Sequence, residues 1–145
     1  MALSAARDLL QSRGDIKTRA YLMAASTQIW AGGYVMINSA GLAVPAAAAA
    51  GAGCIVGVAL ESVLSDGSTA TYINVQFGEI YCVATGMAQA QVGEFAYAND
   101  DQTAGTDAAA ATNTLALGLV TEYVSATEVV VNIDPAISAQ RGLHA

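Results

Sequence analysis

Between Ala20 and Gln140 the chain contains no lysine and no arginine. Phosphate is held mainly by those two side chains, so a body without them is excluded as a nucleic-acid binder and is repelled by anionic membrane surfaces. His144 is the only histidine and lies next to the final residue, a poor place for a general base. Cys54 and Cys82 are the only cysteines, and no C-x-x-C or Cys/His spacing suggests a metal centre. Each sits in an apolar run, GCIVGVAL or EIYCVAT, and reads as a reduced, small buried hydrophobe. A disulfide between them requires that their strands be neighbours, which sequence leaves open. Charged residues make up 12% of the chain, about half the usual share, which suggests a surface covered by partners.

The charge that is present is segregated. Four of the five basic residues, Arg7, Arg13, Lys17 and Arg19, fall at the start, and the fifth is Arg141. Asp8 and Asp15 lie among the first four, and the other ten of the twelve acidic residues follow Ala20. A basic arm is joined to an acidic body. The start of the chain lacks the apolar core of a secretory signal. Residues 41–60, rich in alanine and glycine and interrupted by Pro45, make a poor membrane span, so a soluble protein made in the cytoplasm is expected.

At 145 residues the chain is long enough for one domain with a real core. Residues 26–46, STQIWAGGYVMINSAGLAVPA, show the pattern that most of the chain repeats, with short apolar strands, a hinge at Gly32 and Gly33, and a turn through Asn38, Ser39, Ala40 and Gly41. Trp30, just before the double glycine, is expected to anchor the core. Residues 2–13 are compatible with a short helix making contact through Leu9 and Leu10 and stopped by Gly14. Such a helix is marginal alone, so residues 1–18 read as an arm that orders on something else. Further strands are expected at residues 19–23, 27–30, 34–37, 42–45, 54–60, 94–98, 115–124 and 128–133, the last two as a hairpin turning at Ser125, Ala126 and Thr127. Residues 69–85 alternate well and carry Gly78-Glu79, which reads as a second hairpin. Residues 103–113 read as an exposed loop.

The expected architecture is all-β: a small β-barrel or jelly-roll-like sandwich of eight to ten short strands. The body spans residues 19–135, and residues 136–145 form a tail. Within it no active site is credible. Glu61, Glu79, Glu94, Glu122 and Glu128 are separated by whole strands, no glycine cluster forms a phosphate cradle, and the serines lack a partner histidine. Asn99-Asp100-Asp101 reads as an Asx-type turn at a strand end, with a hard cation as the alternative. No cofactor is expected. What remain are binding and structural roles.

MALSAARDLLQSRGD at the start and IWAGGYVMINSAGLAVPA after it resemble the opening of capsid cement (head decoration) proteins of tailed phages and Mu-like prophages. GVALESV, VQFGEIYC, YANDDQTA and LGLVTEYVSATEVVVNI continue the likeness in order along nearly the whole chain. The resemblance implies a virion protein on the outer surface of the mature head. It would bind across junctions of the major capsid protein, reinforce the shell against packaged DNA, and associate with itself as a dimer or trimer on symmetry axes. The arm residues Arg7, Leu9, Leu10, Arg13, Lys17 and Arg19 are the expected capsid contacts. The other readings are a different virion β-module, such as a head fibre base or tail-tube component, and a carbohydrate-binding or hydrolytic β-domain. The last needs an aromatic platform or a carboxylate pair, which Trp30 and six dispersed tyrosines do not supply.

Overall fold

A computed structural model describes residues 2–7, 17–47, 54–106 and 115–135. Its eleven strands are β1 (Lys17–Leu22), β2 (Gln28–Ile29), β3 (Tyr34–Ile37), β4 (Ala43–Pro45), β5 (Cys54–Ala59), β6 (Val63–Leu64), β7 (Tyr72–Val83), β8 (Phe95–Ala98), β9 (Ala104–Gly105), β10 (Ala116–Ser125) and β11 (Glu128–Ile133). The main sheet runs β4-β3-β5-β7-β11-β10-β8-β9, with β1 added on β7, and β2 pairs with β6 apart from it. Every ladder is antiparallel, and the sheet curls into a half-barrel. Single parallel bridges, Met23 to Ala43 and Ala84 to Ala104, tie the curl at its two ends. The expected all-β, barrel-like class is what is found.

The organising strand is β7. Its first half pairs with β1, Lys17 opposite Phe77 through Leu22 opposite Tyr72, and meets β5 at Val75 and Gln76. Its second half pairs with β11, Gly78 opposite Ile133 through Val83 opposite Glu128. Gly78, at φ +125°, bends the strand without reversing it. Ile73 and Val75 before it are buried in one cluster, and Ile80 and Cys82 after it in the other. This corrects the hairpin expected over residues 69–85: a glycine in the left-handed half of φ space inside an alternating run served as a bend.

The two inward faces fill two clusters. Met23, Ile29, Val35, Ala43, Val56, Ala59, Ile73 and Val75 form one. The larger gathers Tyr34, Met36, Ile55 and Val58 against Ile80, Cys82, Leu117, Val120, Val129, Val131 and Ile133. Each fully buried aliphatic side chain here contributes roughly 1.5–3 kcal/mol relative to exposure. Small residues let strands approach closely. A Cβ on Gly118 would run into the Asn132 carbonyl oxygen, and one on Gly57 into that of Gln76.

Several expectations are corrected locally. Trp30 is half-buried; Ile29 and Tyr34 on either side of it are the sealed anchors. Ala104 and Gly105 are a buried strand on β8, not the start of an exposed loop, and residues 107–113 of that expected loop lie outside the described residues. Residues 2–7 form bends, not a helical turn. The strand of the body begins at Lys17, and residues 8–16 and 136–145 lie outside the described residues. Cys54 and Cys82 are both free thiols, packed against different clusters. No helix among the described residues is long and apolar enough to cross a membrane.

Candidate docking surface of the amino-terminal segment and the first strand

The turn at residues 30–33 builds the centre of the surface. Gly32, at φ +84°, takes the position where a positive φ is needed, and the Gly33 N–H donates to the Trp30 carbonyl at 3.1 Å. The Gly32 N–H donates to Ala59 and the Ala59 N–H to Gly33, at 2.9 and 2.8 Å, which fixes the turn to β5. Tyr34 then donates its N–H to the Asp101 carbonyl at 2.8 Å. This brings the turn alongside the second feature, the connection between β8 and β9. Asp100 accepts the N–H groups of Gln102 and Thr103 at 2.9 and 2.8 Å, the Asx-type turn expected from sequence.

Residues 2–7 lie across these two turns. The Arg7 guanidinium donates from Nε to the Gly32 carbonyl at 2.7 Å and from Nη1 to the Gln102 carbonyl at 2.8 Å. It stands 5.6 Å over the Tyr34 ring, and the Arg7 N–H donates to Ala31 at 3.2 Å. The Leu3 N–H donates to the Asp101 carboxylate at 2.7 Å. Gly33 makes room for this segment, because a Cβ there would stand 2.8 Å from Leu3 Cδ1. The fork of an arginine can hold two carbonyls in different turns at once; a lysine ammonium cannot match it.

The electrostatics below the guanidinium are unusual. Arg7 Nη2 and Tyr34 Oη are buried without a hydrogen-bond partner among the described residues, Oη lying beside Cys82 and Arg7. Burial pushes the Tyr34 phenol well above its ordinary value; the Cys82 thiol adds to this and Arg7 opposes it. Burial likewise pushes Cys82 up to about 12. Asp101, only 3% exposed, is raised by burial and by Asp100, against the pull of the Leu3 N–H and Arg7.

Arg7, expected as a capsid contact, is half-buried, and its side chain donates to two carbonyls of its own body. Its charge and all three modes of its side-chain recognition are used on its own body. Leu9, Leu10 and Arg13 lie outside the described residues. Lys17 and Arg19 are brought together on β1, whose residues are exposed apart from half-buried Tyr21. Among the described residues no strand pairs with the other edge of β1. The Arg19 guanidinium stands 5.5 Å over the Phe77 ring, and the residue stays exposed. At the far end of β1, exposed Leu22 opposes exposed Tyr72. Leu22 also lines an open groove of about 280 Å³ with Met23, Leu42 and Ser65. Among the described residues no cluster of three or more His, Cys, Asp or Glu side chains suits a metal ion.

Asp101, Tyr34, Gly33 and Gln102 were not anticipated as parts of this surface. Gln102 contributes a backbone carbonyl and Gly33 the absence of a side chain, and nothing in residue type reports that. The signal available was YANDDQTA: only one of two adjacent aspartates is needed to cap the turn. No family model matches the chain, and neither does any curated protein.

Proposed function

We propose that this is a capsid decoration, or cement, protein of a tailed phage, acting by binding and not by catalysis. Its partner is the major capsid protein on the outer surface of the mature head. The observation that carries the reading is the segregation of charge on the fold. All described basic residues, Arg7, Lys17 and Arg19, belong to the amino-terminal segment and β1, and the rest of the described body is acidic. With Arg7 engaged internally, the capsid contact falls to Lys17 and Arg19 on β1, whose other edge no described strand pairs with. An edge strand offers unpaired N–H and C=O groups to a neighbouring chain, and its two charges bias it toward an acidic groove. Many weak copies on one lattice reinforce each other through multivalency. The motif order quoted above and the barrel-like β body agree with this role.

The test is binding to purified expanded heads lacking this protein, followed by heat or chelator challenge. Saturable binding that delays rupture, weakened by Lys17→Glu with Arg19→Glu, supports the proposal. Absence of binding refutes it. Rings or filaments formed without heads would instead favour a tail-tube or fibre component.

A further inference from the structure

The contacts of residues 2–7 have the form of a peptide in a receptor site. Leu3 packs over Gly33, its N–H meets a buried carboxylate, and four residues later Arg7 is gripped by two carbonyls and an aromatic face. The receptor residues Gly32, Gly33, Tyr34, Asp101 and Gln102 all come from the body, and their positions are fixed by body hydrogen bonds that do not involve the segment. The site is thus built whether or not its occupant belongs to the same chain.

We propose that it also accepts the Leu3–Arg7 segment of a second copy, so that neighbouring copies link by exchanging their amino-terminal straps. The occupant is specified by the site. It must be an extended segment with an apolar residue followed four positions later by arginine, and in this chain residues 2–7 provide one. Distance permits the exchange. Ten residue steps separate Arg7 from Lys17, a reach of about 35 Å when extended. A chain of this length has a radius of gyration of about 15 Å, so the strap reaches an abutting copy. Electrostatics favour the same occupant. Each strap carries a positive charge to an acidic body, and exchange preserves every contact made within one chain, leaving little enthalpic difference between closed and exchanged forms. The exchange does not depend on the capsid reading: it is a property of purified protein.

The test uses two full-length variants. Arg7→Ala weakens the strap and keeps the site; Gly33→Ala keeps the strap and places a methyl against Leu3. Each alone should run as a monomer in sedimentation, and mixing them should yield a mixed dimer. A fluorescent peptide of residues 1–8, MALSAARD, should bind the Arg7→Ala chain saturably, and its own Arg7→Ala version should bind at least about tenfold more weakly. Failure of the peptide to bind overturns the site. Peptide binding without mixed dimers overturns the second copy as occupant. If Gly33→Ala fails to fold, wild-type chain replaces it in the mixing experiment, with excess peptide expected to dissociate the dimer; a dimer indifferent to peptide overturns the exchange.

Discussion

Replacing Arg7 by alanine removes the bonds at 2.7 and 2.8 Å to Gly32 and Gln102 and the contact with the Tyr34 face in one step. A hydrogen bond from a charged donor contributes about 1.5–3 kcal/mol, and a partly desolvated cation over an aromatic ring about 0.5–2. Against this stands the cost of holding a guanidinium away from water with Nη2 unpartnered, which is of the order of several kcal/mol before compensation. The net loss is therefore placed at about 2–4 kcal/mol. It is drawn from docking of residues 2–7, because the body ladders do not pass through Arg7. Two observables separate the levels. Hydrogen exchange of the Leu3 and Arg7 amides should accelerate by at least about thirtyfold, the factor that corresponds to 2 kcal/mol. The thermal midpoint should fall by about 4–16 °C, at roughly 2–4 °C per kcal/mol for a chain near this size, while far-ultraviolet circular dichroism at 20–25 °C stays β-like. Arg7→Lys should recover less than half of the loss, since an ammonium lacks the fork. Unchanged exchange at residues 2–7 together with an unchanged midpoint in the alanine variant would refute the clamp.

Gly118→Ala and Gly57→Ala should each cost about 2–4 kcal/mol in urea unfolding, because the new methyl meets a carbonyl oxygen of the neighbouring strand; Gly41→Ala, in open space at a turn of φ +79°, should cost only about 1 kcal/mol. Cys82 is raised from 9.0 to about 12 in the folded chain, so the unfolded chain loses its proton first. The associated stability is full below pH 9 and is lost as pH rises toward about 12, which the urea midpoint at a series of alkaline pH values reads directly. By the same burial, Cys54, half-exposed, should react with a thiol reagent at least about tenfold faster than Cys82 in native protein. Asp101 is raised in the folded state, so its stabilising contribution is present at acid pH and is lost as pH rises through its folded value. Asp101→Asn should flatten that dependence while keeping an acceptor for Leu3, whereas Asp101→Ala should cost about 1–2 kcal/mol at every pH.

How much of the fold was legible in the sequence varies with the range of the interaction responsible. Strands β3 and β11 have the limits read from sequence, and β4, β5, β8 and β10 lie within a residue or two, because alternation and turn residues are local signals. The Asn38 turn was legible for the same reason: its side chain accepts the Ala40 and Leu42 N–H groups at 2.9 and 3.1 Å. Gly78 was misread because glycine in an alternating run is compatible with a reversal or a bend, and the choice is made by β11, some fifty positions on. β6 and β9, two residues each, exist only through their partners β2 and β8. The docking surface was least legible. Arginine in a basic arm reads as solvent-facing, and what captures Arg7 are main-chain carbonyls that every residue has. The charge asymmetry was fully visible, and its placement on β1, beside β7, required the fold.

One strand serving both halves of the sheet has a consequence for how the chain comes apart. With β1 and β5 on one side of Gly78 and β11 on the other, neither hydrophobic cluster can lose its wall without stripping the other. Partial melting that spares one half is therefore disfavoured, and the described body should open as one unit. A nick in the turn at residues 125–127 leaves β7 continuous and should be survivable. A nick beside Gly78 severs the element that makes two clusters into one cooperative structure, and neither fragment then retains a complete sheet to fold upon.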